Sequence, residues 1–423
     1  LQGRGIKFGL HNIKTLLRSV GNPERKFHSV HIAGTNGKGS TASFIASVMM
    51  EGGYKTGLYT SPHLVRFTER VKVDGDEIAE HRLIDYANRL RPEIEKVHAT
   101  FFEATTCIAF QYFADEEVDI AVVETGLGGR LDATNVLKPL ISVITSISFD
   151  HMGYLGNNLR SIAREKGGII KNGVPCVTGR QTREALDTLK RIAEKRRVRL
   201  HEAHKLVKGN AKSSRIGNLK VSLASNRLKV DGLKLGLAGA FQFENATVAL
   251  SAMEILLRKR WFSKRFDGVS SRSVGRGLLN VQKNTGLHGR LETLKGDRRI
   301  VLDVAHNAEA MEFLVIELQS RSDNLVTAVF GVMADKDYGA MIASLSRVAK
   351  RVIAVTPRIQ RALKSSRLCS YARRNGIHVL DGGTVKGGIR KAKKLADPAE
   401  KILITGSHYV VGEALQYLHE QTA

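Results

Sequence analysis

The chain has 423 residues, enough for roughly two or three domains with sizeable cores. Its 66 Lys+Arg against 41 Asp+Glu give a formal charge of +25; residues 1–150 hold 17 basic and 18 acidic side chains, so the whole excess follows residue 150. No apolar run approaches the ~18 residues of a membrane span, no basic-then-apolar secretion signal opens the chain, and Cys107, Cys176 and Cys369 stand too far apart for a metal site or a disulfide framework. A cytoplasmic protein without a membrane partner is expected, and the basic excess reads as a solvated surface or as attraction for polyanionic ligands.

Taken in chain order, the pattern is α/β. Residues 29–35 (SVHIAGT) read as a buried strand and 40–53 (STASFIASVMMEGG) as the helix after it, closed by glycines. Further strands are expected at 55–61, 118–126 and 139–148, of the near-continuous apolar kind found in parallel sheets. Residues 158–170 read as helix until the Gly167–Gly168 pair, 195–236 as a short basic β-rich insert, and 240–259 as helix. A linker is expected at 280–287. After it, strand-and-loop segments at 299–307, 324–338, 350–357, 377–383 and 401–409 alternate with helices, as in a smaller α/β unit.

The stretch HIAGTNGKGS (31–40) sits where a phosphate loop belongs, between a strand and a helix. Backbone N–H groups of Gly34, Thr35, Asn36, Gly37, Lys38, Gly39 and Ser40 can wrap phosphate oxygens at the positive end of the helix, and Lys38 can neutralise them. Gly39 intervenes between the lysine and the hydroxyl, unlike the commonest phosphate loops, so a metal would take ligands elsewhere. Candidates are Thr60 and Ser61 in TSPHL, Glu124 before a glycine loop, and Asp150 with His151 in SFDHMGYLG. All lie at strand ends, where α/β sheets bind ligands. A hydroxyl, a carboxylate and an imidazole would leave room for phosphates and water around Mg²⁺.

Eight blocks occur in order: HIAGTNGKGS; GLYTSPHL with FTERV; ETGLGGRLDATN; SFDHMGYLG with REKGGII; HGRLE; DVAHN; GVMADKD; and TGSHYVVGE. Together, from about residue 3 to residue 418, they resemble the folylpolyglutamate synthase/dihydrofolate synthase family of the Mur ligase superfamily. The resemblance implies a P-loop Mur-ligase-type domain with a mostly parallel sheet (1–283) and a smaller Rossmann-like α/β C-terminal domain (284–423). It implies an ATP-dependent amide ligase in folate biosynthesis and polyglutamylation. ATP would phosphorylate a substrate carboxylate, and the amine of L-glutamate would attack the acyl phosphate. Such chemistry needs positioning and charge neutralisation, and no protein nucleophile.

Carried over to this chain, the resemblance makes Lys38 the phosphate lysine and Ser61, Glu124 and His151 the magnesium ligands. Lys166 matches a lysine that the family carries as a carbamate; a lysine of lowered proton affinity can react with CO₂ as free amine. Asn245, Arg290 and Asp303 match ATP contacts outside the loop, and His306 a histidine near the reaction centre. Ser407 is a candidate contact for glutamate. Ser61 with Pro62, Thr100, Phe102, Glu103, Arg130, Asp132 and Ala133 match the substrate side, where Phe102 would stack on a pterin. Arg66 and Arg70 are candidates for a substrate carboxylate.

The expected partners are ATP, L-glutamate, and dihydropteroate or reduced folates, with both acceptors used. A monomer is expected. Three rival readings carry less. A cell-wall Mur ligase would need an additional N-terminal domain, and 33 residues precede Gly34. A nucleic-acid-binding NTPase would show an aromatic platform or a recognisable module. A catalytically dead binding protein would have lost a phosphate or metal position.

Overall fold

The computed structural model describes residues 9–213, 217–320 and 326–420. The start of the family resemblance (residues 3–8) and the first two residues of the strand expected from 324 lie outside them. Two parallel-dominated sheets organise the chain. The first contains β1 (His28–Ala33), β2 (Thr56–Tyr59), β3 (Val71–Val73), β4 (Asp76–Glu77), β5 (Ile120–Glu124), β6 (Ile141–Ile144), β7 (Cys176–Thr178) and β8 (Leu200–Glu202). Their order is β4-β3-β2-β5-β1-β6-β7-β8. Pairing is parallel from β2 to β8, with β3 and β4 added antiparallel at one edge.

Both faces of this sheet are covered, which is why β1, β5 and β6 are buried along almost their whole length with no inward–outward alternation. One face packs on the helices Lys38–Glu51, Phe241–Leu257 and Ser271–Thr285, the other on His11–Ser19, Glu80–Lys96 and Phe101–Asp115. The basic insert divides. Its first strand, β8, extends the main sheet, while β9 (Lys208–Ser213), β10 (Leu219–Ala224) and β11 (Lys229–Lys234) form a separate antiparallel sheet. Leu219, Val221 and Leu223 alternate inward on β10 and seat it on the same core as the Phe241–Leu257 helix.

The second large sheet holds β12 (Glu292–Thr293), β13 (Ile300–Leu302), β14 (Val326–Phe330), β15 (Ala349–Thr356), β16 (Val379–Thr384) and β17 (Ile402–Thr405), in the order β12-β13-β17-β14-β15-β16. Only β12 is antiparallel. The expected linker differs in one respect. Residues 280–285 still belong to the helix Ser271–Thr285, whose buried face (Val274, Leu278, Val281) continues to its last turn. The irregular connection is Gly286–Leu291, with Gly286, Gly289 and Leu291 all at positive φ.

Candidate active site

A cleft of about 560 Å³ lies between the two sheets. It is lined by the segments that leave the carboxyl ends of β1, β2, β5 and β6, and by the segment after β13. Its size suits a nucleotide-sized ligand. The phosphate loop forms one wall. Gly37 has φ +85° and caps the helix Lys38–Glu51; a Cβ there would lie 2.2 Å from Asn245 Oδ1, so only glycine fits. The Lys38 ammonium donates to the Gly34 and Thr35 carbonyls (3.2 and 3.1 Å) and stands 3.9 Å from Glu124 Oε1. Gly39 lies between two side chains: the position of a Cβ would be 3.5 Å from Arg290 Nη2 and 3.6 Å from Glu124 Oε2. Arg290, carried by the connection between the sheets, therefore reaches the phosphate loop.

Opposite this wall, groups from both halves interlock. Asp150 Oδ1 accepts from the Lys336 ammonium at 2.5 Å, and Asp150 Oδ2 lies 3.7 Å from both His151 Nε2 and His306 Nε2. Burial works against the charge of Asp150, yet His151, His306 and Lys336 hold its carboxyl below the ordinary carboxylate range. His306 Nδ1 is 2.9 Å from the Val304 carbonyl, which can only accept, so Nδ1 carries the proton. Burial lowers the pKa of His306 to about 4. At neutral pH its Nε2 is a free lone pair beside Asp150. Asn36, in the phosphate loop, donates to Glu309 (2.7 Å) and accepts from Asn307 (2.9 Å), joining the loop to the second half.

Behind the loop, Lys166 is 4 % exposed and donates to the Gly34 carbonyl at 2.7 Å. Burial, then the charge of Lys38, lowers its pKa to about 7, so the free amine is populated near neutrality. Glu124 is buried as well, and burial raises its pKa despite Lys38 and the Ser61 N–H that donates to it at 3.3 Å. A buried carboxylate so sparsely paired is a fitting ligand for a hard cation. Among the described residues no group of three or more His, Cys, Asp or Glu side chains forms a metal cluster. A cation here would draw on Ser61, Glu124 and His151 and complete its shell with ligand oxygens.

The structure brings most of the predicted residues to this cleft. Gly34 to Ser40, Ser61, Pro62, Glu124, His151, Lys166, Asn245, Arg290, Asp303 and His306 all line it. The Asp303 carboxylate accepts from the Leu291 and Ala305 N–H groups (2.8 Å each), fixing the connection that carries Arg290. Others do not line the cleft. Thr100 and Glu103 form a reciprocal cap on the helix Phe101–Asp115. Asp132 is a buried turn carboxylate bonded to the Leu127 and Thr134 N–H groups, with Ala133 buried next to it. Arg130 points outward to Glu165 (2.9 Å). Ser407 Oγ caps the helix His408–His419 through the Val410 N–H. Phe102 packs under Gly126 and 6.1 Å from the Tyr59 ring.

Of the two arginines after TSPHL, Arg66 pairs with Glu77 in two hydrogen bonds. Arg70 is buried against Phe67 and Phe101 and donates to His63 Nδ1 at 2.8 Å. Sequence reasoning assigned no role to Lys336, Asn307, Glu309 or His408. Lys336 lies in GVMADKD and Asn307 in DVAHN, two blocks that carried a signal without saying which side chain faced the cleft. The His408 ring lies 5.1 Å from that of His306, tilted at 54° to it.

Residues 32–253 match the Mur ligase middle domain and residues 289–408 the Mur ligase glutamate ligase domain. With the cleft between them, they define an enzyme of the Mur ligase class. The chain is 36% identical over 358 residues to the dihydrofolate synthase/folylpolyglutamate synthase of Bacillus subtilis (strain 168), covering 82% of this chain and 81% of that protein. Crystal structures of Mycobacterium tuberculosis folylpolyglutamate synthase complexed with ADP and AMPPCP superpose with a TM-score of 0.88 at 30% identity, covering 97% of this chain and 95% of that one. The bifunctional folylpolyglutamate synthase/dihydrofolate synthase of Yersinia pestis, complexed with AMPPNP and Mn ion, gives 0.85 at 27% identity over 99% and 95%. The chain belongs to the folylpolyglutamate synthase/dihydrofolate synthase family. It is an acid–amino-acid ligase, forming carbon–nitrogen bonds.

Proposed function

We propose that this ligase joins L-glutamate to dihydropteroate and to the glutamate of reduced folates, consuming ATP and releasing ADP and phosphate. The reading rests on one observation: a phosphate loop with Lys38 and Arg290 shares a cleft with the Asp150–Lys336 pair and the neutral His306. The first group suits a transferring phosphoryl group. The second matches a zwitterion, whose carboxylate can take over Lys336 and whose ammonium can take over Asp150.

ATP would lie with its phosphates on Gly34–Ser40 and its base toward the apolar end of the cleft, at Phe241, Val248, Phe313 and Ile316. Asn245 and Asp303 support that site, Asp303 by aiming Arg290. Ser61, Glu124 and His151 would hold Mg²⁺, with carbamylated Lys166 behind the loop. The metal supplies charge neutralisation to the triphosphate. An acceptor carboxylate oxygen attacks the γ-phosphorus, giving an acyl phosphate and ADP, while Lys38 and Arg290 offset the spreading negative charge. The glutamate ammonium would pass one proton to His306 Nε2 and attack the acyl carbon as the free amine. The C–O bond to phosphate breaks, the departing phosphate takes the second proton, and the amide remains. Arg70, buried with no carboxylate partner among the described residues, is suited to a carboxylate of the acceptor. The pterin would sit toward Phe102, with Thr100, Glu103, Asp132 and Ala133 shaping the wall behind it and Ser407 aligning the turn next to glutamate.

We further propose a domain division at 283/284, a monomer and a cytoplasmic location; no helix among the described residues is long and apolar enough to cross a membrane. The test is ADP release with Mg-ATP and L-glutamate, using dihydropteroate and tetrahydrofolate in parallel and Lys38→Ala as control. Glutamate-dependent turnover with both acceptors is expected. Turnover with one would restrict the enzyme to that reaction. No turnover with either, in bicarbonate buffer, would overturn the folate reading.

A further inference from the structure

We propose that the cationic strip Arg358–Arg367, held against Tyr409 beside the cleft-lining His408, binds the carboxylates of an already elongated glutamate tail on the acceptor. The inference rests on the ligase reading above. Residues 357–374 contain six Arg or Lys and no Asp or Glu, and all six cations are exposed. Among the described residues none of them forms a side-chain ion pair. Glu413, the acid next to Arg358, accepts from the Arg358 backbone N–H.

An exposed basic run is ordinarily a solvated face, but this one is anchored at the site. The Arg361 guanidinium rests 5.5 Å over the Tyr409 ring and donates to its hydroxyl at 3.3 Å. Tyr409 follows His408, which lines the cleft. The Arg361 carbonyl accepts from Ala334 N–H (3.0 Å), and Met333 bridges Ala362, so the strip is built on the loop that carries Lys336. The chemistry explains the placement. The reacting glutamate is always terminal, and the fold fixes the span from ring pocket to phosphate loop. Each earlier addition inserts length and one carboxylate into that span. The surplus must leave the cleft as an anionic loop, and the strip offers it cations at the exit.

The experiment compares the KM for tetrahydrofolate carrying one and four glutamates, at low and high salt, in the native protein and in the triple variant Arg358→Ala/Arg361→Ala/Lys364→Ala. The native enzyme should favour the longer acceptor about tenfold at low salt, the scale of a few exposed ion pairs. That preference should collapse at high salt and in the variant, with monoglutamate turnover and the KM for ATP unchanged. No preference in the native enzyme, or the same preference in the variant, would overturn the proposal. Loss of oligonucleotide binding in the variant with the preference intact would reassign the strip to nucleic acid. Absent monoglutamate turnover in the native enzyme would strike the ligase reading instead.

Discussion

Lys166 shows how one buried side chain sets a pH dependence. Its pKa is about 7 in the folded chain against 10.5 unfolded, chiefly through burial. Below pH 7 both states hold the proton, and the folded state bears the whole cost of a buried ammonium. Between 7 and 10.5 the folded state has released the proton and the unfolded state has not, so stability rises with pH across that window. In CO₂-free buffer, Lys166→Met should therefore raise Tm more at pH 6.5 than at pH 9.5 while abolishing turnover. An equal gain at both pH values would show that the lysine is not neutralised by burial. At Lys336 the expected effect is on binding. Loss of one charge-assisted partner is worth about 1.5–3 kcal/mol. Lys336→Ala should thus raise the KM for glutamate roughly 10- to 100-fold, with the KM for ATP changed far less. Steady-state kinetics with each substrate varied separately would distinguish this from a general loss of the site.

At the scale of elements, the phosphate loop and the connection between the sheets act through backbone shape. Gly37→Ala would push a methyl into Asn245 at a positive φ. The loop would open while the helix Lys38–Glu51 kept its buried face. ATP affinity measured by titration calorimetry should fall by more than about tenfold, with far-ultraviolet circular dichroism unchanged; strained backbone of this kind costs about 1–3 kcal/mol. Gly289, at φ +70°, turns the chain so that Arg290 points back at Gly39, and a Cβ there would lie 2.9 Å from Val304 Cγ1. These two elements were unequally legible. HIAGTNGKGS announced its loop because an apolar strand, a glycine run and a lysine fall at fixed offsets. The connection was read as starting at residue 280, since NVQKNTGL looks like a polar linker. Its first residues stay helical because Val281 and Thr285 are buried.

The whole molecule is held in its closed arrangement by contacts that cross between the sheets. Asn36 meets Asn307 and Glu309, and Asp150 meets Lys336 and His306. These polar contacts are joined by apolar ones, since Leu64 packs against the core of the second half and Ala238 lies within it. The double substitution Asn36→Ala/Lys336→Ala removes the loop's side-chain bonds to the second half together with the Asp150 ion pair. It should increase the radius of gyration in small-angle scattering without ATP, with little change in Tm, because neither core is touched. An unchanged radius would mean that other contacts keep the halves together.

The fold class, the phosphate loop and the family were legible in the chain itself. Alternating apolar runs and helical periods encode parallel sheets locally, and ordered short blocks preserve spacing that chemistry demands. Which side chains work together was not legible. Asp150 and Lys336 are 186 residues apart, and nothing local to either marks the other as its partner. Arg70 was legible as a candidate for a substrate carboxylate, but not its enclosure by Phe67 and Phe101. Arg130 looked like a pocket wall until Glu165 drew it outward. Local pattern fixes what a segment becomes, because backbone hydrogen bonding and burial act along the segment. The meeting of charges across two sheets depends on how those sheets pack, and only the tertiary structure decided that.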